Sequence, residues 1–361
     1  MSTGLLRTSL YDKQRALGAK MVPFAGWEMP VQFEGILKEH EANRQGCSIF
    51  DCSHMGEFLI EGEGARAALD RIVTQKVLDM TPGTCRYGMA LNDQGGTIDD
   101  LIVYCITPRK WMVVVNAANI TKDREHFERH LGPDVTFTDI SVGTAKLDVQ
   151  GPLSREVLSA LVPGIQGLSY YTFGEFDLLG EKVVISRTGY TGELGFEIYY
   201  PWDKAERVWD QLLLDARVRP TGLGVRDVLR IEVCYPLYGH ELSEEISPFD
   251  AGLRMFVDQG KDFIGKQALL TRPVPLQTVC VLSDSRRAPR QGQRLYSPEG
   301  SEVGEITSGT FSPALGFGIG LGFVKKTFTS TDKVIIFGDE KFRQPARIVT
   351  RPFYKEGSLK N

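Results

Sequence analysis

Apolar and polar residues alternate along this chain with two periods, and the segments carrying each period interleave. From Asp203 the sequence reads DKAERVWDQLLLDARV, in which Ala205, Val208, Trp209, Leu212, Leu213 and Ala216 fall on one face at helical spacing. Asp203 stands where an N-cap belongs, and Glu206 where the reciprocal acid of a capping box belongs. The pattern predicts further helices over Gly64–Ile72, Lys122–Leu131, Ser154–Leu161 and Val225–Val233. Runs rich in β-branched and aromatic residues predict strands over Gly56–Ile60, Leu101–Ile106, Trp111–Val115, Ala145–Val149, Lys182–Ser186 and Gly195–Tyr199. Short turns as well as helices join these strands, so mixed or antiparallel sheets of the α+β class are expected.

Two segments echo each other. FLIEGEGARAALDRI from Phe58 and LDVQGPLSREVLSAL from Leu147 both read as strand, glycine turn and helix, which hints at two similar α+β units. The pattern changes after Arg272. RPVPLQ reads as a linker, and beyond it short apolar runs at Thr278–Leu282, Glu302–Ile306, Gly318–Phe323 and Lys333–Phe337 are punctuated by Gly, Pro, Ser and Asp. That is the pattern of a small all-β barrel or sandwich, with a boundary near residue 275.

Composition narrows the class. A length of 361 residues with 42% hydrophobic positions suffices for two or three packed domains. A net charge of -4 leaves no basic footprint, so no nucleic-acid partner is expected. No stretch approaches the roughly 20 apolar residues that span a bilayer, so no membrane association is expected either. The start of the chain lacks the apolar core of a secretory signal. A cytoplasmic protein is expected, or one of the mitochondrial matrix if a transit peptide has been removed. The six cysteines form no CxxC pair and read as buried apolar thiols, and the scattered histidines suggest no metal site.

Four segments could carry chemistry. In GGTIDDLIVY, Gly95 to Tyr104, adjacent carboxylates enter an apolar run. Strand neighbours face opposite sides, so one of Asp99 and Asp100 faces the interior or a cleft, or else the pair simply caps a turn. In SRTGYTGELGFEIYY, glycines at three-residue spacing alternate with Tyr190, Glu193 and Glu197. It fits neither a P-loop nor a dinucleotide fingerprint. It suits a flat heteroaromatic ligand, stacked on Tyr and held by a carboxylate along an amino–NH edge, or a tight hairpin with solvated acids. In GLGVRDVLRIEVCYPLYGHEL, Arg226, Asp227, Arg230 and Glu232 sit in an apolar helical stretch and form an ion-pair network or line a site. His54, in FDCSHMGEF, could be a general base, but no partner stands in a recognisable arrangement and a structural role is the expectation.

Taken together, these segments resemble the aminomethyltransferase family, the T-proteins of glycine cleavage systems. The resemblance is carried in family order by GAKMVPFAGWEMPVQF from Gly18, FDCSHMGEF, GGTIDDLIVY, VVNAANI from Val114, SRTGYTGELGFE, GLGVRDVLRIE, DFIGKQALL from Asp262, GEITSGTFSP from Gly304 and RPFY from Arg351. It implies a three-domain cloverleaf around a central folate channel: ferredoxin-like α+β domains over residues 1–50 with 140–275 and over 51–139, and a C-terminal β-barrel over 276–361. It implies transfer of a one-carbon unit from the aminomethyl-loaded lipoyl arm of H-protein to tetrahydrofolate, giving methylene-tetrahydrofolate and ammonia, with no metal. Asp100 matches the family's catalytic acid and Glu197 its pterin-recognising carboxylate. Tyr190, Tyr87 and Met55 match pocket positions, Asn116 the Asn of the VVNA segment, Arg226 a pocket arginine, and Tyr354 a C-terminal segment returning towards the folate tail. Where many relatives carry Trp before DFxG, this chain has Met255, which implies variation in the pocket. Two relatives of other function share the fold: iron–sulfur assembly factors, expected to lose the catalytic acid, and methylated-amine demethylases, often fused to a flavin domain of which this chain carries no GxGxxG segment.

Overall fold

The computed structural model describes residues 4–339 and 342–360. Two open sheets and one closed barrel each have a separate apolar core. The first sheet orders Phe173–Leu178, Glu181–Ser186, Gly195–Pro201, Thr144–Gln150, Cys47–Asp51 and Val218–Pro220. The second orders Thr84–Leu91, Thr97–Thr107, Lys110–Val115, Gly56–Gly62 and Val135–Asp139. The barrel closes through Leu276–Ser283, Phe317–Lys325, Glu302–Ser312, Arg294–Tyr296, Val334–Gly338 and Arg343–Val349.

The echo read from Phe58 and Leu147 is a topological repeat. In each sheet a strand (Gly56–Gly62 or Thr144–Gln150) leads through a helix (Ala65–Ile72 or Ser154–Ser159) into a three-stranded antiparallel meander. The last strand of the meander returns to pair antiparallel with the first. Each sheet covers one face with its helices. Ala145, Leu147 and Val149 pack against Val208, Trp209 and Leu212, while Val103, Val113 and Phe58 pack against Leu69 and Phe127. The opposite faces meet each other, with Tyr104, Met112 and Val114 of one sheet against Phe173 and Tyr199 of the other.

The predicted strands all form, each slightly longer than the pattern suggested, and the four shorter predicted helices appear within a few residues of their expected bounds. The expected cap does not. A 3-10 turn, Trp202–Lys204, precedes the α-helix Ala205–Leu213, whose N-cap is Lys204 with no side-chain cap bond. Asp203 is spent inside that turn, and Ala216 lies beyond the helix end. Strands at Cys47–Asp51, Thr84–Leu91, Phe173–Leu178 and Arg343–Val349, and the helix Ile36–Gln45, go beyond what the pattern predicted. RPVPLQ is only partly a linker, since Leu276 and Gln277 already pair in the barrel. Among the described residues, no helix is long and apolar enough to cross a membrane.

Candidate active site

A cavity of about 1200 Å³ opens where the two sheets, the hairpin Lys20–Phe24/Trp27–Gln32, the helix Leu223–Glu232 and the C-terminal tail converge. Met55, Tyr87, Asp100, Asn116, Tyr190, Glu197, Arg226 and Tyr354 all line it. The residues that the sequence singled out, spread over some 300 positions, are thus brought to one wall system.

Strand alternation places the first carboxylate pair. On Thr97–Thr107, Leu101 and Val103 face the helix-covered core while Ile102 and Tyr104 face the other sheet. Asp99 follows the first parity and is fully buried; Asp100 follows the second and reaches the cavity. Asn116, just after the neighbouring strand, ties them together. Its backbone N–H donates to Asp99 Oδ2 at 2.9 Å, and its Nδ2 donates to Asp99 Oδ1 at 2.9 Å and Asp100 Oδ1 at 2.8 Å. Asn119 Nδ2 donates to Asp99 Oδ1 at 2.5 Å, and the Tyr87 hydroxyl donates to Asp100 Oδ2 at 3.0 Å.

Asp99 therefore has three donors, which hold its carboxyl down against the burial that raises it. Asp123, on the covering helix Ile120–His130, is fully buried with no donor to either carboxyl oxygen. Burial and the nearby Asp99 charge hold its proton on well above the ordinary carboxylate range. Burial and the same Asp99 charge push Asp100 up to about 7, against the opposing donors Tyr87 and Asn116. A carboxyl balanced there can take up or release a proton near neutrality.

On the facing sheet, the strand Thr144–Gln150 turns Ala145, Leu147 and Val149 to the core and Lys146, Asp148 and Gln150 to the other side, where all three are buried. Lys146 Nζ donates to Asp148 Oδ1 at 2.6 Å and to Glu197 Oε1 at 2.8 Å. Arg226 Nη1 donates to Asp148 Oδ2 at 2.7 Å. The Thr188 hydroxyl donates to Glu197 Oε2 at 2.6 Å, and the Tyr104 hydroxyl reaches the same oxygen at 3.4 Å. This alternating set of cations and carboxylates is locked before any ligand arrives. The guanidinium of Arg226 lies 5.1 Å from the Tyr190 ring centroid, and the Tyr190 hydroxyl donates to the Pro236 carbonyl.

The glycines of the 186–200 segment serve this wall. Gly192 takes φ 78°, and a Cβ on Gly195 would stand 2.1 Å from the side chain of buried Gln150.

Several cavity residues escaped the sequence reading. His54, expected to be structural, lines the cavity with its Nδ1 buried and unpartnered. Burial, with Arg226 and Lys146 nearby, lowers it to about 3, so it is a neutral imidazole and no general acid at neutral pH. Lys146, Asp148 and Gln150 recur at a period of two, which reads as a solvated strand face, yet all three are buried. Tyr354 lines the cavity rim, and so do Lys355, Gly357, Leu359 and Lys360 of the KEGSLKN tail, in which the sequence offered no signal. Ser358 pins it through Glu193 at 2.6 Å, and Arg44 lies 4.0 Å over the Tyr354 ring. Met255 lines the same rim and is 83% exposed. The ambiguous charges of the Leu223–Glu232 helix do both: Arg226, Asp227 and Arg230 all line the cavity, and Arg230 also pairs with Asp227 at 2.8 Å, with Glu241 at 3.0 Å and with the Ser308 hydroxyl of the barrel at 2.8 Å.

A cavity with a carboxyl poised at about 7 on one wall and a carboxylate–cation array on the other, inside two α+β sheets and a barrel, has the form of an enzyme active site. Two family models match the chain, the GCVT N-terminal domain over residues 10–261 and the glycine cleavage T-protein C-terminal barrel domain over residues 277–355. The chain belongs to the glycine cleavage T-protein family. It is 43% identical to the aminomethyltransferase of Desulforamulus reducens, covering 97% of this chain and 98% of that one. It is 42% identical to that of Thermotoga maritima, covering 98% and 99%. The crystal structure of glycine cleavage system aminomethyltransferase T from Bartonella henselae superposes with a TM-score of 0.93 at 30% identity over 98% of this chain and 99% of that one. Aminomethyl transfer in glycine cleavage is accordingly the activity of this chain.

Proposed function

We propose that the acceptor is tetrahydrofolate, that the donor is the aminomethyl-dihydrolipoyl arm of H-protein, and that Asp100 is the group that handles the folate protons. The observation that carries the reading is the position of Asp100: a carboxyl poised at about 7, open to the cavity and steered by Tyr87 and Asn116. Two carbon–nitrogen bonds form as the one-carbon unit joins the folate, and two N–H protons must leave. One ends on the departing sulfur, the other on the departing ammonia. A carboxylate that takes a hydrogen bond or proton from an attacking N–H raises the nucleophilicity of that nitrogen.

Glu197 receives the amino edge of the pterin with the lone pairs that Lys146 and Thr188 leave free. Arg226 supplies donors to ring oxygens with the guanidinium positions not engaged by Asp148. Tyr190, Tyr87 and Met55 bound the flat ring, and Tyr354 stands towards the tail end. Tyr104, four residues along the strand from Asp100 and so about 13 Å away at the backbone, touches Glu197, which suits a ligand lying across both.

The binding half of this reading is tested by titrating tetrahydrofolate into the protein and its Glu197→Gln variant. Loss of a charge-assisted bond of about 1.5–3 kcal/mol should weaken binding about 10- to 100-fold. Equal affinity of the two proteins would remove Glu197 from pterin recognition.

A further inference from the structure

The cavity wall contains a pair of thiols that group transfer does not use. Cys234 follows the helix Leu223–Glu232 and lines the cavity; Cys280 lies on the first barrel strand, Leu276–Ser283, and is fully buried. Their sulfurs are 3.3 Å apart. The remaining cysteines have no such neighbour: Cys47, Cys52, Cys85 and Cys105 are each buried, and burial raises every one of those thiols.

The contact is held in place from both sides. Cys234 takes φ 62°, a left-handed conformation that a non-glycine residue adopts only when its surroundings fix it. The turn is fixed by the Cys234 N–H to the Ile231 carbonyl at 3.0 Å and the Tyr235 N–H to the Arg230 carbonyl at 2.8 Å. Ile231, Ile319, Leu321 and Phe353 pack around the sulfurs, so the pair sits at a seam between helix, barrel and tail. The two thiols are within hydrogen-bonding distance, and the contact with Cys234 and the guanidinium of Arg351 lower the Cys280 thiol against burial. One partner is thereby inclined to the thiolate, the form that reacts with oxidants, while the other is half-exposed at the cavity.

We propose that Cys234 and Cys280 are a two-electron redox site, at which a hydroperoxide converts the two thiols into a disulfide that ties the cavity wall to the barrel. One sulfur attacks the peroxide, the O–O bond breaks, and a sulfenic acid forms as water or an alcohol leaves. The second sulfur then displaces the hydroxyl, so that an S–S bond forms, the S–O bond breaks and a second water departs. Both thiol protons leave in the products and the peroxide is the reduced partner. The sulfurs must close from 3.3 Å to about 2.05 Å. That movement pulls Cys234, between the cavity residues Val233 and Tyr235, towards the barrel, and turns the Cys280 sulfur beside Arg351, also a cavity residue, into part of a neutral disulfide.

The test treats the full-length protein with hydrogen peroxide, then alkylates and maps its cysteines by mass spectrometry without reduction. The expected result is a Cys234–Cys280 linked peptide, lighter by two hydrogens, that forms before the other four cysteines are modified and disappears with dithiothreitol. Exposed Met255, converted to its sulfoxide, reports that the peroxide acted. Cys234→Ser and Cys280→Ser should each abolish the linkage; if the buried Cys280 variant does not fold, Cys234→Ser alone decides. A Met255 sulfoxide beside two free thiols, or oxidation of Cys234 to the sulfinic acid with no bridge, would overturn the proposal.

Discussion

Asp100 owes its chemistry to burial and to Asp99, a residue that never reaches the cavity. Asn116 and Asn119 donate to Asp99 and oppose the burial that raises it, and burial together with the Asp99 carboxylate raises Asp100. Asp123 keeps its proton because burial and the neighbouring Asp99 hold it there. The single-turnover rate should therefore rise with pH through a midpoint near 7. In Asp99→Asn the like charge is gone, so the midpoint should move down, and an unmoved midpoint would show that Asp99 does not tune its neighbour. Tyr87, Asn116 and Tyr190 face the same carboxyl and are unchanged in that comparison. The stability consequence has a definite sign. Asp100 binds its proton more tightly folded than unfolded, so its contribution is complete at acid pH and is lost as pH rises through about 7. Replacing it with Asn should raise Tm more near pH 8 than near pH 5, which thermal melts at the two values would check.

Elements matter through their two faces. Asp100, Glu197 and Lys146 reach the cavity because strand period two sends their neighbours into helix-covered cores. Strand period two made it legible that one of Asp99 and Asp100 faces inward, while the choice of Asp100 came from the family resemblance; Lys146 was not legible, since a strand's regular polar face ordinarily meets solvent and here meets the second sheet. His54 was not legible, because its position depends on the Phe24 hairpin folding over it, its ring meeting Phe24 edge-on at 5.5 Å. Nor was the role of the tail beyond Tyr354, which rests on the long-range contact of Ser358 with Glu193. Helix Ala205–Leu213 marks the difference between pattern and local chemistry. Its apolar face packs as its period requires, whereas its expected cap is replaced by a 3-10 turn. Asp203→Ala should then cost less than about 0.5 kcal/mol in urea unfolding, below the usual N-cap loss. Leu212→Ala, in the core, should cost about 2–5 kcal/mol. A larger loss at Asp203 would restore the cap.

For the whole molecule, the cavity exists only where separate cores meet. The seam with the barrel is polar: Arg230 joins Glu241 and Ser308, and Glu232 accepts from His40, Arg44 and the Ser312 hydroxyl. Removing one member of such a buried pair strands the other, so Arg230→Ala should destabilise the protein by about 3–5 kcal/mol. Loss of under about 1 kcal/mol, read by denaturant unfolding, would mean that the barrel is held by apolar contacts alone. The boundaries expected at residues 50, 140 and 275 are a matter of how these units cooperate, and the repeat of strand, helix and returning meander is the physical reason to propose them.

The most direct test of the account is a single turnover. Protein, tetrahydrofolate and aminomethyl-loaded H-protein are mixed, and ammonia and methylene-tetrahydrofolate are followed for the wild type and for Asp100→Asn. The account predicts both products from the wild type, and a variant that binds folate with similar affinity but is slowed by orders of magnitude. A variant that turns over at the wild-type rate would contradict the role given to Asp100. A wild type that binds folate and releases no ammonia would contradict the proposed donor and acceptor.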